Sequence, residues 1–162
     1  MTDHVAHILE QWSTERPDLD VSPIGIIGRV HRLAARLTEE ITAVYREFGL
    51  SEGDFDVLAT LRRQTGSRGL TCGALAESTM VTSGGMTKRV DRLETAGLVR
   101  RHESESDGRS RVVELTPAGY ALVDEAFTAH IANEHRLVEV LEPADQAALA
   151  QALTRWLTSL ES

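Results

Sequence analysis

The segment between Ser51 and Leu115 constrains the fold most, because its apolar spacing changes there from a helical period to a strand period. Ser51 and Glu52 can cap a first short helix, which a polar, glycine-containing loop ends. Thr71 is a typical N-cap for a second short helix, Cys72–Ser78. The residues predicted to face inward in these two helices are Phe55, Val57, Leu58, Leu61, Leu75 and Ala76.

A third helix is predicted within the stretch TSGGMTKRVDRLETAGLVRR, residues 82–101. We place its N-cap at Thr82 or Ser83, and we expect Gly97 to end it as a left-handed cap. The apolar residues at i, i+4 and i+7, which form its buried face, are Met86, Val90 and Leu93. Residues 79–81 join it to the second helix, and this pairing is typical of a helix-turn-helix.

Two runs of alternating apolar and polar residues follow, at 98–102 and 111–115. Between them lies a polar stretch that contains an Asp-Gly pair, which favours a turn, so the two runs are predicted to form a two-stranded hairpin. A helix-turn-helix followed by a hairpin is a winged helix. We therefore predict a mainly α-helical fold with a small β-wing.

Long amphipathic helices are predicted on both sides of the winged helix. Thr116, followed by proline, begins a downstream helix, and Pro143 stops or restarts it. The upstream stripe is Val30, Ala34, Leu37, Ile41, Val44, Tyr45 and Phe48, and that of the last helix is Leu149, Leu153, Trp156 and Leu160. Because a small middle region cannot cover these stripes, we expect residues 1–48 and 117–162 to form a homodimer. Residues 51–115 would then be the winged helix of a single chain unit.

Composition narrows the class of protein. A length of 162 residues with 41% hydrophobic content is enough for one globular domain. The single cysteine, Cys72, excludes an intramolecular disulfide and a multi-cysteine zinc site, which fits a reducing compartment. Without a basic leader or eighteen consecutive apolar residues, the sequence predicts a cytoplasmic protein with no membrane partner.

The net charge of −8 argues against a nucleic-acid partner, because proteins bind polyanions largely through Lys and Arg. The charge is unevenly distributed, however. Residues 66–115 carry eight basic against seven acidic side chains, which leaves this segment at +1 and the remainder at −9. The middle region is therefore compatible with double-stranded DNA, although a mixed-charge run is also typical of a solvated face.

The outer face of the third helix supplies candidate DNA contacts. We expect Thr87 and Lys88 to reach base edges or phosphates, and Arg89 to serve phosphates or an intramolecular ion pair. Gly84 and Gly85 would let the first turn approach DNA closely; the alternatives are a frayed first turn and a tight contact with the preceding helix. The candidate set on this helix is Thr82, Ser83, Gly84, Gly85, Thr87, Lys88 and Arg89.

The hairpin offers a second candidate contact. Arg109 and Arg111 lie at or beside the predicted turn, and an arginine at a wing tip can enter the narrow minor groove. Arg109 is predicted to take that role, and Asp107 to cap the turn or orient Arg109. The alternative is an ordinary hairpin with solvated charges.

Three stretches together resemble the MarR family of bacterial transcription regulators: LTCGALAE from residue 70, TKRVDRLETAGLVRR from 87, and DGRSRVVELTPAG from 107. The resemblance covers the whole chain. It implies a homodimer that binds a pseudo-palindromic operator, with recognition helices in successive major grooves and wings in flanking minor grooves. It also implies a repressor that a small anionic or aromatic molecule, or cysteine oxidation, releases from DNA.

The N-terminal segment 11–23 is similar to an extension found in the PecS-like and related actinobacterial branch of that family, whose members respond to urate or small carboxylates. The resemblance implies an effector site formed by Trp12, Asp56 and Arg89. Trp12 has an alternative role as an apolar contact of the first helix with the dimer core. Cys72, in the first turn of a helix, is interpreted as a small neutral filler rather than a redox switch.

The sequence contains few other residues or motifs that suit metal binding or catalysis. His4 and His7 are three residues apart, but a metal site also needs carboxylate or further imidazole partners, and His130 with His135 misses the i+4 spacing. We therefore predict no metal site. The sequence lacks a nucleophile elbow, a phosphate-binding glycine loop and an H-E-x-x-H motif, so we expect neither an enzyme nor a cofactor. The alternative function is an acidic helical interaction or ligand-binding protein whose winged helix no longer binds DNA.

Overall fold

The computed structural model describes residues 3–64, 69–80, 85–103 and 111–161. Within these ranges the chain forms seven helices and three strands: α1 His4–Glu15, α2 Ile24–Glu47, α3 Glu52–Arg63, β1 Leu70–Thr71, α4 Cys72–Ser78, α5 Met86–Thr95, β2 Val99–Glu103, β3 Arg111–Leu115, α6 Pro117–Val138 and α7 Pro143–Glu161. The mainly helical fold with a small sheet is confirmed. None of these helices combines the length and apolar character that a membrane span needs. The chain divides into two compact units, Met1–Ile41 and Thr42–Ser162, with the boundary inside α2.

The first unit consists of α1 and the larger part of α2. Asp3 caps α1 by accepting a hydrogen bond from the Ala6 backbone N–H at 2.8 Å, and its carboxylate pairs with Arg29 of α2 at 2.7 Å. Val5 is 3% exposed and packs on Gly28, where an added Cβ would lie 3.2 Å from the valine Cγ1. A small residue on α2 therefore lets the two helices approach each other.

The second unit is built around α3. Its N-terminus is a capping box, in which Ser51 and Asp54 each accept from the backbone N–H of the other. The largest fully buried apolar side chains of the unit are Val57, Leu58, Leu75, Val90, Val99, Val113 and Val123. They come from α3, α4, α5, the sheet and α6, so a single core holds the helix-turn-helix and the wing together.

The sheet contains the predicted hairpin and one strand more. β2 and β3 pair antiparallel from Val99↔Leu115 to Glu103↔Arg111. The expectation of two strands was incomplete, because β1 pairs antiparallel with the other edge of β3 and the order is β1-β3-β2. A strand of two residues has no detectable alternation, and only its distant partner defines it.

Capping residues in the sequence predicted most helix ends correctly. The side chains of Thr71 and Thr116 accept N-cap hydrogen bonds at the starts of α4 and α6. Gly97 follows α5 with a φ of +72°, as expected for a left-handed cap. Helix α7 begins at Pro143 and has no buried residue.

Candidate nucleic-acid interface

The recognition helix α5 has one buried face and one exposed face. Met86, Val90 and Leu93 are at most 5% exposed, which confirms the predicted apolar stripe. The side chains of Thr87 and Lys88 are exposed on the outer face. Lys88 is the only lysine in the sequence, and it forms no ion pair with any described residue. An unpaired ammonium group on this face is chemically suited to a phosphate or a base edge.

The start of α5 differs from the prediction. The N-cap is Gly85, not Thr82 or Ser83, and it makes no side-chain capping hydrogen bond. Its φ is +83°, a left-handed conformation that glycine adopts at little cost. An added Cβ would meet nothing within 4 Å, so backbone conformation rather than crowding within the chain favours glycine there. Three further candidates, Thr82, Ser83 and Gly84, lie outside the described residues.

Arg89 points away from the outer face and lies against the first turn of α3. An added Cβ at Gly53 would be 2.4 Å from the Arg89 Cζ, so the guanidinium occupies the space that this glycine leaves. Its Nη1 is buried and has no hydrogen-bond partner among the described residues. Asp56, 7% exposed, follows Gly53 by three residues on α3. Trp12, the third predicted effector residue, belongs to the first unit and is 46% exposed.

A second arginine of α5, Arg92, forms an ion pair within the chain, although its side chain is 59% exposed. Its Nη2 donates to the buried carboxylate of Asp54 at 2.6 Å, which ties the recognition helix to the N-terminus of α3. Burial alone would raise the pKa of Asp54, but the hydrogen bonds from Arg92 and Ser51 outweigh burial and lower that pKa below its usual range. Asp54 is therefore held as a carboxylate.

The wing strand β2 carries two adjacent arginines with different partners. Arg101 contacts α5 through Asp91 and Glu94, at 2.6 and 2.5 Å, whereas Arg100 pairs with Glu114 of β3. Arg111 begins β3 and is exposed, while Asp107 and Arg109 lie outside the described residues. Sequence reasoning did not assign a role to Arg101. The available signal was strand alternation, which sends the side chains of neighbouring arginines to opposite faces.

The histidines and the cysteine provide no rival site. Among the described residues, no group of three or more His, Cys, Asp or Glu side chains could hold a metal ion. His130 contacts the Tyr45 hydroxyl through Nδ1 at 3.3 Å and lies 3.3 Å from Glu134 through Nε2. Burial, together with the charge of Glu134, raises the pKa of Tyr45, so this phenol stays protonated. Cys72 is a free, half-buried thiol at the first position of α4.

A helix-turn-helix with an exposed cationic recognition helix, followed by an antiparallel wing, defines the class of winged-helix DNA-binding proteins. Comparison with known proteins makes the assignment specific. The MarR family profile matches residues 48–110. The chain is 34% identical to the transcriptional regulator PecS of Dickeya dadantii over 151 residues, which cover 93% of this chain and 91% of PecS. It is 32% identical to the repressor Rv2887 of Mycobacterium tuberculosis over 136 residues, covering 84% of this chain and 94% of the repressor.

The fold also agrees with that of a solved structure. BpsR of Bordetella bronchiseptica superposes with a TM-score of 0.64 at 23% identity, covering 79% of this chain and 98% of BpsR. The chain belongs to the MarR family and is a DNA-binding transcription regulator. Its relatives are regulators rather than enzymes.

Proposed function

We propose that this chain is a cytoplasmic, homodimeric repressor that binds a pseudo-palindromic operator and leaves it when a small anionic or aromatic effector binds. Residues 1–48 and 117–162 would form the dimer, and 51–115 would bind DNA. One relative, Rv2887, is a repressor by name, which supports this direction of regulation. The two-fold symmetry of such a dimer would put the half-sites about one helical turn apart, ~10 bp, or a multiple of it.

The observation that carries the proposal is the exposed Lys88 on the outer face of α5, which forms an ion pair with no described residue. A cation left without an intramolecular partner among the described residues keeps all three of its donors for the DNA. Thr87, beside it, adds a hydroxyl group of the kind that contacts either phosphates or bases. The predicted wing contacts Asp107, Arg109 and Arg111 would provide the minor-groove part of the interface.

The proposed DNA-binding surface is tested by measuring binding to DNA from the region upstream of the gene that encodes this chain. Fluorescence anisotropy over a salt series gives the affinity. Lys88→Ala and Arg109→Ala are each expected to weaken operator binding by about 1–3 kcal/mol if they contact base edges. A pure phosphate contact would instead lower the slope of log K against log salt by about one. Arg32→Ala, which removes one positive charge from α2, is the matched control and should change little.

The single lysine permits an independent test. An amine-reactive reagent can label only Lys88 and the α-amino group, so operator DNA should protect Lys88 selectively from modification. Unprotected labelling of Lys88, with weak DNA binding that is equal in all variants, would favour the alternative of an acidic helical interaction or ligand-binding protein.

The effector part of the proposal rests on Arg89 and Asp56. The buried Arg89 Nη1 lacks a described partner, and a guanidinium in this position favours a carboxylate or another anion. Asp56 is buried on α3, three residues after the Gly53 that Arg89 contacts, and Trp12 would supply an aromatic surface. BpsR offers a parallel, since 6-hydroxynicotinic acid regulates its DNA binding.

Release of labelled operator by urate or 6-hydroxynicotinic acid tests this site. Asp56→Asn and Arg89→Gln should each raise the half-effective concentration about tenfold or more, since a hydrogen bond to a charged group contributes ~1.5–3 kcal/mol. Trp12→Ala should raise it as well, because this substitution removes the aromatic surface. Asp145→Asn, a substitution on α7, serves as the charge control. Unchanged release in all three single variants would show that the effector site lies elsewhere.

A further inference from the structure

Arg101 joins the wing strand β2 to the whole length of the recognition helix. Its Nη2 donates to Asp91 at 2.6 Å and to the Thr87 carbonyl oxygen at 3.4 Å, while Nη1 donates to Glu94 at 2.5 Å. Glu94 also accepts from the Arg101 backbone N–H at 3.0 Å. The three helix residues follow one another at i, i+4 and i+7, so they lie on one stripe of α5.

These contacts leave Arg101 little capacity to bind DNA itself. The side chain is 17% exposed, and both of its terminal nitrogens are directed to the recognition helix. Contacts on three successive turns hold a helix against both rotation and sliding, which a single ion pair cannot do. Arg92 and Asp54 hold the same helix from the α3 side.

We propose that Arg101 is a positioning residue for operator recognition: it sets the rotation and register of α5 relative to the wing, so that Thr87 and Lys88 meet the base edges while the wing meets its own groove. Arg101 does this without donating to the DNA. The inference rests on the proposed DNA surface of α5 and the wing. Its specific consequence is that loss of Arg101 impairs sequence discrimination more than general affinity for DNA.

Arg100 provides a matched control. It is the same residue type at the adjacent position of the same strand, and its side chain is 70% exposed. Its ion-pair partner is Glu114, directly opposite on β3, so this pair joins strand to strand rather than strand to recognition helix. Substituting either arginine removes one positive charge from β2, but only Arg101 holds α5.

The experiment compares Arg101→Gln with Arg100→Gln on operator DNA and on a scrambled duplex of the same length, across a salt series. Arg101→Gln is expected to weaken operator binding about tenfold or more, the cost of losing good contact at one base pair, while binding to scrambled DNA changes less than about twofold. The salt slope should stay at the parent value, because no phosphate contact is lost. Arg100→Gln should leave the ratio of the two affinities unchanged.

A double-mutant cycle with Lys88→Ala separates positioning from an independent effect. If Arg101 orients the helix that carries Lys88, the two substitutions are non-additive, whereas Arg100→Gln and Lys88→Ala add. Arg101→Lys, which keeps the charge and can still reach one carboxylate, should rescue discrimination in part and covers the case that the glutamine variant fails to fold.

Two results would overturn the inference: an unchanged ratio of operator to scrambled affinity in folded Arg101→Gln and Arg101→Lys, or a salt slope reduced by about one with equal loss on both duplexes. The second result would make Arg101 a phosphate contact. Failure of the parent itself to bind operator, or of Lys88→Ala to alter binding, would instead refute the proposed DNA surface.

Discussion

At the scale of single residues, Gly119 near the start of α6 leaves space for a neighbouring backbone atom. Its position in the motif L-T-P-A-G does not indicate this steric role. An added Cβ would lie 2.0 Å from the Leu98 carbonyl oxygen. Because this is a backbone atom, displacing it would cost free energy. Gly119→Ala is therefore expected to destabilise the fold by about 1–3 kcal/mol or more, measured by urea unfolding at fixed protein concentration. Gly73→Ala is the control, because its Cβ would meet only the Thr71 Oγ1, at 3.8 Å, and alanine favours a helix by up to ~1 kcal/mol. Equal stability of Gly119→Ala and the parent would contradict the close approach.

For Thr60 on α3 we expect the opposite effect, namely that a substitution leaves the fold equally stable or stabilises it. It is 0% exposed, and its Oγ1 has no hydrogen-bond partner among the described residues. Replacement by the nearly isosteric valine should leave stability unchanged or raise it by about 1 kcal/mol, because a buried hydroxyl without a partner costs desolvation free energy. Thr60→Ser, which keeps the hydroxyl and removes a methyl group, should lower stability by roughly 0.8 kcal/mol. A clear loss of stability in the valine variant would reveal a partner for the hydroxyl.

At the scale of elements, we expect the N-terminus of α3 to make the fold sensitive to acid. The folded-state pKa of Asp54 is lowered, so its contribution to stability is present above the unfolded-state value of about 3.9 and is lost as the pH falls below it, through the folded value. The difference in unfolding free energy between the parent and Asp54→Asn should therefore be constant near neutral pH and shrink below about pH 4. Arg92→Gln removes the main partner and should reduce this difference at neutral pH. A difference that persists unchanged to pH 2 would show that the carboxylate charge is not responsible.

The elements also show what sequence could and could not predict. Caps at Thr71 and Thr116 and the buried stripe of α5 depend on residues close in the chain, and these predictions are confirmed. β1 and the inward turn of Arg89 depend on β3 and α3, which lie far away in sequence, and periodicity carries no information about such partners. The Gly-Gly pair in the sequence predicts an unusual start for α5, but the left-handed φ of Gly85 is seen only in the backbone.

At the scale of the whole molecule, the last helix leaves an apolar stripe uncovered within the chain. Leu149, Leu153, Leu157 and Leu160 of α7 are between 44% and 73% exposed, and their spacing places them on one face. A contiguous apolar face of this kind on a single chain favours contact with a second copy. Leu149, Leu153 and Leu160 belong to the stripe predicted from sequence, because amphipathic periodicity records which face is apolar. That prediction had Trp156, which is half-buried, in place of Leu157. The partner that covers the face remains a prediction, which self-association measurements can test.

Sedimentation velocity of the parent should give twice the mass of one chain. Leu153→Glu with Leu157→Glu is expected to yield monomers, because burying two carboxylates in an apolar interface costs several kcal/mol. The monomer should also bind a two-half-site operator far more weakly, while its affinity for a single half-site changes little, since the second binding event is no longer intramolecular. Gln151→Glu adds a negative charge to the opposite face of α7 and should leave the dimer intact. A dimer that survives the double substitution would move the interface to other helices, and a parent that sediments as a monomer would contradict the homodimer itself.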